Sequence, residues 1–236
     1  MAISTQHEAR PVVFVVDDDV AVRESLELLI ASADLEAETF ACAHEFLAHP
    51  RIPAPSCLVL DVSLPDINGL DLQSRIGAAL SHTPIIFISG DVDVSLAVRA
   101  MKQGAADFLT KPFSDGALLI AVRDALDRSR AALSQESELQ ALRERQASLT
   151  RREREVMALV VAGLLNKVVA DKLGISEVTV KAHRGCVMRK MKAGSVADLV
   201  RIAARLDGMP PAAPIASPPP VRSIPSSNSY VRPVPV

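Results

Sequence analysis

The sequence predicts two folded parts: a doubly wound α/β domain on a five-stranded parallel sheet, then a small all-α domain of four helices. Three observations predict this. In the first half, short apolar runs rich in β-branched residues alternate with longer segments of helical spacing, the pattern of a parallel sheet covered on both faces. From Leu149 the pattern turns wholly helical, punctuated by glycines and by Ser or Thr at helix starts. The charge divides at the same place, since residues 1–126 carry 8 Lys/Arg against 18 Asp/Glu while residues 149–207 carry 12 against 6.

Taken in order, the strands are expected at Val12–Val16, Ala37–Phe40, Leu58–Leu60, Ile85–Ser89 and Ala106–Leu109, with helices starting near Val20, Ala43, Leu70, Val94 and Asp115. The third run stops at a carboxylate, Asp61, after which Pro65 and Gly69 mark a loop. The fifth helix is expected to continue, because no Pro or Gly falls between Ala117 and Thr150. Leu119, Leu126 and Leu133 are seven apart, as are Leu142 and Leu149, although Gln140 breaks the register. A solvated helical spacer and a dimer coil both fit that pattern. Thr150 with Glu153 forms a capping box ahead of Val156–Val160. Gly163 ends that helix, Lys167–Leu173 is a short one closed by Gly174, Ser176 caps a third running to Met191, and Ser195 caps a fourth ending about Leu206. Two short helices around a tight Gly-containing turn have the helix-turn-helix layout. The domains are therefore set at 10–128, a helical linker at 129–148, the helical domain at 149–207, and a tail at 208–236. That tail holds nine of the sixteen prolines and is expected to be disordered.

Composition narrows the class. A chain of 236 residues can bury one large core or two small ones. No stretch approaches the roughly 20 apolar residues of a membrane span, and the N-terminus lacks a basic region followed by an apolar one, so neither a membrane partner nor a signal peptide is expected. Three cysteines without CxxC spacing fit a reducing compartment, which makes the cytoplasm the expected location. The basic second half points to a polyanion partner.

The chemistry gathers at strand ends. The first strand finishes in Asp17-Asp18-Asp19, the third in Asp61, the fourth in Ser89, and the fifth is followed by Thr110-Lys111-Pro112. If strands one, three, four and five are neighbours, these side chains meet at the carboxyl edge where open α/β sheets bind ligands. Clustered carboxylates make the hard-oxygen site that Mg²⁺ prefers. A lysine and a hydroxyl nearby hold an anion, and a carboxylate can serve as nucleophile. Asp19 is expected to cap the first helix rather than bind metal. On pattern alone Phe108 and Cys57 are core residues.

Val15-Val16-Asp17-Asp18, Leu60-Asp61-Val62-Ser63-Leu64-Pro65 with Asn68-Gly69, Ile88-Ser89-Gly90 and Lys111-Pro112-Phe113 resemble the receiver domain, of flavodoxin-like fold, of bacterial two-component response regulators. The resemblance implies that Asp61 accepts a phosphoryl group from a cognate histidine kinase. It implies that Asp18 and Asp61 bind Mg²⁺ with the Ser63 backbone carbonyl, and that Asp17 acts through water. Ser89 would bond the phosphoryl group, Lys111 would pair with it, Phe108 would be the aromatic switch, and Lys111-Pro112 would be a cis peptide.

In the second half, Leu149-Thr150, Arg152-Glu153-Arg154-Glu155-Val156, Gly163-Leu164 with Asn166-Lys167, Ala170 with Leu173-Gly174-Ile175-Ser176, and Thr179-Val180-Lys181 with His183-Arg184 resemble the LuxR-type helix-turn-helix of NarL/FixJ response regulators, nearest the FixJ-like group. Read as a helix, the third segment puts Val180, Val187 and Met191 on one face with His183 and Arg184 at its edges. Val178, Lys181, Ala182, Gly185, Arg189 and Lys192 fall opposite. An apolar stripe backed by small and cationic residues suits a recognition helix. Lys181, Ala182 and Gly185 are expected nearest the bases of promoter DNA, with His183, Arg184 and Arg189 on phosphates; Val178 and Thr179 join the contacting set.

The reading is a phosphorylation-controlled, DNA-binding transcription factor rather than an enzyme. As the family implies, phosphorylation of Asp61 creates a homodimer through the fourth helix, fifth strand and fifth helix. Two rivals stand beside it. One keeps the DNA-binding half and makes the first half a phosphate-independent docking module. The other is a Mg²⁺-dependent aspartyl phosphohydrolase, which commonly needs a second acid two residues after the nucleophile, where Ser63 stands here.

Overall fold

The computed structural model describes residues 10–50, 53–76, 82–90 and 93–208. The first nine residues and the tail beyond Gly208, on which two expectations fell, lie outside the described residues. Two compact units divide between Glu144 and Arg145.

In the first unit five strands, β1 (Val12–Val16), β2 (Glu36–Phe40), β3 (Ser56–Asp61), β4 (Ile85–Ser89) and β5 (Asp107–Thr110), form an all-parallel sheet in the order β2-β1-β3-β4-β5. Every residue of β1, β3 and β4 is buried, whereas the edge strands β2 and β5 are mostly half-exposed. That is why the central strands read as continuous apolar runs. Side chains still alternate between faces. Phe14, Val16, Leu58, Leu60 and Phe87 pack with Phe46 of α2 (Ala43–Ala48), Leu72 of α3 (Gly69–Ile76) and Ala100 of α4 (Val94–Lys102). Val13, Val15, Val59, Ile86 and Ile88 pack on the other face with Leu26 and Ile30 of α1 (Val20–Ser32) and Leu118, Val122 and Ala125 of α5 (Asp115–Ala147). Cys57 lies wholly inside this second layer, where burial pushes its thiol up to about 12, so it packs as a small apolar residue.

α5 runs unbroken for 33 residues. Its leucine spacing has a local cause at the start. Leu118, Ala121, Val122, Ala125, Leu126 and Ser129 are the face turned to the sheet, so Leu126 serves the core and not a coil seam. Packing extends through Ser129, whose hydroxyl accepts from the Ser56 N–H at 2.9 Å and donates to the His82 carbonyl.

The second unit contains α6 (Arg151–Val161), α7 (Asn166–Leu173), α8 (Glu177–Met191) and α9 (Val196–Leu206). Their boundaries follow caps legible in the sequence. Thr150 and Glu153 form the reciprocal capping box, Ser176 accepts from the Thr179 N–H, and Ser195 accepts from the Asp198 N–H. Gly174 closes α7 at φ +65°, a left-handed position that glycine occupies without strain. Val156, Val160, Val169, Val180, Val187, Met191 and Leu199 are buried between the helices.

No helix among the described residues is long and apolar enough to cross a membrane. Because Leu58 is fully buried in the central strand, Leu58→Ala is expected to remove about 2–5 kcal/mol from the first unit. Urea unfolding followed by circular dichroism should lose its first-unit transition at lower denaturant and keep that of the second unit in place.

Candidate phosphoacceptor site and nucleic-acid interface

At the carboxyl edge of the sheet, β1 delivers Asp17 and β3 delivers Asp61 on neighbouring strands, since Val16 pairs with Leu60. β4 ends in Ser89 and β5 leads into Lys111, whose N–H donates to the Ser89 carbonyl at 2.7 Å. The strand order reverses between β1 and β3, so both carboxylates flank the point where chain direction opens a crevice. Asp17 and Asp61 are buried, with 1% and 6% of their surface exposed. One ammonium serves them both: Lys111 Nζ lies 2.7 Å from Asp17 Oδ2 and 3.2 Å from Asp61 Oδ1.

The remaining carboxylate oxygens take backbone donors. Asp17 Oδ1 accepts from the Asp19 N–H at 2.9 Å, and Asp61 Oδ2 accepts from the Ser63 N–H at 3.1 Å. Burial pushes the Asp61 carboxyl above its ordinary range; Lys111 opposes that rise and the nearby Asp17 charge adds to it. The Lys111 ammonium is raised although burial works against its charge, because its bonds and attraction to Asp17, then to Asp61, outweigh that burial.

Asp18 is exposed beside this pair, and Asp19 accepts from the Ala21 N–H at 2.8 Å as the cap of α1. Ser63 is exposed, with its backbone bridged to Asn68. Ser89 is buried at the end of β4. Phe108 is half-buried, its ring centroid 6.3 Å from that of Phe87, and packs against the layer holding α3 and α4. The Lys111-Pro112 peptide is cis. Among the described residues no three Asp, Glu, His or Cys side chains are gathered into a metal cage. The donor chemistry nonetheless suits Mg²⁺: two buried carboxylates share one ammonium and a third carboxylate stands at the rim, a surplus of hard, negative oxygen.

Two contributors have no signature in the sequence, and a third, Gly69, was legible only as a loop residue and part of a motif. Arg23 Nη1 donates to the Asp17 carbonyl at 2.6 Å, a main-chain contact that any residue could receive. Asp66 accepts from the N–H groups of Ala43 and His44 at 3.4 and 3.0 Å, capping α2 from the loop that follows Asp61. Gly69 is required by proximity: a Cβ there would meet the Asp61 carbonyl oxygen at 2.8 Å and Phe87 at 3.1 Å.

In the second unit, α8 buries Val180, Val187 and Met191 and exposes Val178, Lys181, Ala182, Gly185, Arg189 and Lys192. His183 and Arg184 are half-buried at the edges. Arg184 Nη1 donates to Asn166 Oδ1 at 3.1 Å, tying α8 to the first residue of α7. Thr179 is half-buried, its hydroxyl 2.8 Å from that of Ser176. Arg189 Nη2 contacts Cys186 Sγ at 3.4 Å. Lys190 turns inward to Glu153 Oε2 at 2.6 Å and the Ser148 carbonyl at 3.1 Å, which holds the Glu153 carboxyl below its usual range. Gly185 weakens the helix by about 0.5–1 kcal/mol relative to alanine. A Cβ there would meet nothing within 4 Å, so nothing inside the protein requires its bareness.

Residues 13–123 match the family described as the response regulator receiver domain, and residues 147–203 match the bacterial regulatory proteins of the luxR family. The chain is 46% identical to nodulation protein W of Bradyrhizobium diazoefficiens over 86% of its own length and 89% of that protein. It is 46% identical to the transcriptional regulatory protein FixJ of Azorhizobium caulinodans over 85% of its own length and 94% of that protein. Among solved structures it is similar to the response regulator StyR, with TM-score 0.75 and 44% identity, covering 84% of this chain and 100% of that one.

Two outcomes follow from the charges. A raised folded-state carboxyl favours the fold below its unfolded value, and that favour is lost as pH rises through the folded value. Asp61→Asn is therefore expected to raise the urea midpoint of the first unit at pH 7, with the gain shrinking toward pH 4, the region of the ordinary value of 3.8. Glu153 runs the other way: its lowered carboxyl stabilises above the ordinary 4.5 and ceases to as pH falls through the folded value. Glu153→Gln should lower the second unit's thermal midpoint at pH 7, and the difference from wild type should close in acid.

Proposed function

We propose, from the premise that this chain belongs to the NarL/FixJ-type two-component response regulators, which join a receiver to a LuxR-type DNA-binding domain, that it is a transcription factor switched by phosphorylation of Asp61. The observation that carries the proposal is the buried Asp17–Asp61 pair with its single ammonium, in one chain with a capped helix-turn-helix. In this reading residues 10–128 receive the signal, 129–148 link, and 149–207 bind promoter DNA.

The Asp61 carboxylate attacks the phosphorus of a phosphohistidine on the cognate kinase. The P–N bond breaks, and the imidazole leaves with the electron pair and gains a proton from solvent. Lys111 favours the ionised form of Asp61 for this attack, because its positive charge opposes the rise that burial causes. It then moves its pairing from the carboxylate to the new phosphoryl oxygens, with no second cation needed from the chain. The Ser89 hydroxyl donates to the same oxygens, and Phe108, beside Phe87, follows the shift of that strand end. Asp18, Asp61 and the Ser63 carbonyl would hold Mg²⁺, with Asp17 acting through water, and the ion would supply positive charge to offset that of the phosphoryl oxygens. Gly69 keeps the Asp61 carbonyl where it is by having no Cβ to displace it.

The readout is homodimerisation. Val94, Val98 and Met101 are exposed at one-turn spacing along α4, an apolar stripe next to β5 that a second copy can bury once the switch turns. Two copies then present two α8 helices to successive turns of duplex DNA. Phosphotransfer and DNA binding both place the protein in the cytoplasm. An enzymatic role in phosphate ester hydrolysis is not favoured, since Ser63 holds the position a second acid would need and the relatives are named as regulators.

Intact-mass measurement after incubation with Mg²⁺ and acetyl phosphate should give one phosphoryl adduct on wild type, none on Asp61→Asn, and none when the metal is chelated. An adduct persisting on Asp61→Asn would overturn the assignment. Lys181→Ala should take up the phosphoryl group as wild type does and lose sequence-selective DNA binding, the outcome expected of two modules.

A further inference from the structure

The exposed stripe of α8 is chemically unusual for a reader of bases. Along it stand Val178, Lys181, Ala182, Gly185, Arg189 and Lys192, and none of these side chains carries a hydrogen-bond acceptor or an amide fork. The exocyclic amino groups of adenine and cytosine need an acceptor in the major groove, so these six side chains have nothing to offer them; the exposed carboxylate of Glu177 stands to the side of the stripe, about 100° around the helix from Val178. What it offers instead is hydrocarbon. Val178 is 76% exposed in the first turn of the helix, the part of a recognition helix that meets base edges. Ala182 lies one turn further on the same line.

An exposed β-branched residue and a mid-helix glycine both work against an isolated α8. Valine is a weaker helix former than the polar residues that usually cover a surface, and Gly185 has no neighbour that a Cβ would strike. Neither is explained by packing within the protein. The cations on the helix are sorted in the same sense. Arg184 is tied to Asn166 and Lys190 to Glu153 and Ser148, while Lys181 is exposed at one edge of the stripe, one turn beyond Val178 and beside Ala182 in sequence.

Resting on the DNA-binding reading above, we infer that α8 recognises its operator through thymine methyl groups packed on Val178 and Ala182, with Lys181 as its hydrogen-bonding contact to a guanine edge, and that Gly185 is bare so the backbone can settle into the groove. The thymine methyl is the one apolar group that a base pair presents in the major groove. Four residues of helix rise about 6 Å and base pairs stack about 3.4 Å apart, so the two methyls belong to thymines within about two base pairs of each other. The guanine contacted by Lys181 lies between or beside them.

The test uses the full chain, treated with Mg²⁺ and acetyl phosphate. Duplexes selected from a random library supply the site, and each thymine in it is then replaced by deoxyuridine, which removes the methyl and leaves every hydrogen-bonding group. By fluorescence anisotropy, one or two positions per half-site should lose about four-fold in affinity for wild type, the value of one buried methyl-sized group. In Val178→Ala, whose exposed side chain leaves the fold intact, at least one of those losses should fall below two-fold. Gly185→Ala should unfold at a higher temperature than wild type yet bind the selected duplex more weakly. A selected site in which no deoxyuridine matters, or equal losses in wild type and Val178→Ala, would overturn this inference while leaving DNA binding in place. Failure to retain any duplex above a no-protein control would overturn the DNA-binding reading and this inference together.

Discussion

Two carboxylates buried at adjacent strand ends, with one ammonium between them, set the terms for the first unit. Asp17 and Asp61 cannot both be charged inside a protein without compensation, and Lys111 alone supplies less than they require. The arrangement therefore holds Asp61 in a strained electrostatic balance, pushed up by burial and restrained by the lysine. A group in that balance responds strongly to any new charge. In the proposed switch a phosphoryl group on Asp61 would change that balance, because the lysine would then face more negative charge than before.

Everything around the pair serves to keep it in place. The parallel register of β1 with β3 sets the distance between the two acids, and the crossover to β5 returns Lys111 to the same edge. The loop after Asp61 is held by the Ser63–Asn68 bridge and by the Asp66 carboxylate on the start of α2. Gly69 lets α3 begin against the Asp61 carbonyl. Under the proposed switch, such rigid surroundings would carry a small change at the acid to Ser89 and Phe108 as a displacement rather than a diffuse relaxation.

The second unit solves a different problem with similar economy. α8 must be firm on one side and bare on the other. Val180, Val187 and Met191 anchor it, Arg184 ties it to α7, and Lys190 reaches back to the Glu153 that also caps α6. Cations that look interchangeable along the helix thus have separate duties, some structural and some facing outward. Charge totals could not have separated them, because the distinction lies in which neighbour each side chain reaches.

While the strand order that makes β1, β3, β4 and β5 successive neighbours was a condition that the sheet itself met, alternating apolar runs and glycine and serine punctuation were enough to determine both folds and the helix caps. These are local properties, set by the periodicity of strands and helices and by backbone hydrogen bonding at their ends. The sequence also brought Asp17, Asp61, Ser89 and Lys111 to one edge, since a parallel sheet leaves them nowhere else to be. It left the leucines of α5 open between a coil seam and a spacer, because a seven-residue spacing and a helix face packed on a sheet look alike over two turns; only the sheet beneath Leu126 assigns that leucine to the core. Arg23 on a backbone carbonyl, Asp66 capping a helix more than twenty residues away, and Lys190 turned toward Glu153 were decided by tertiary structure. Each depends on contacts between segments remote in sequence, and a contact of that kind leaves no period or spacing in the chain that makes it.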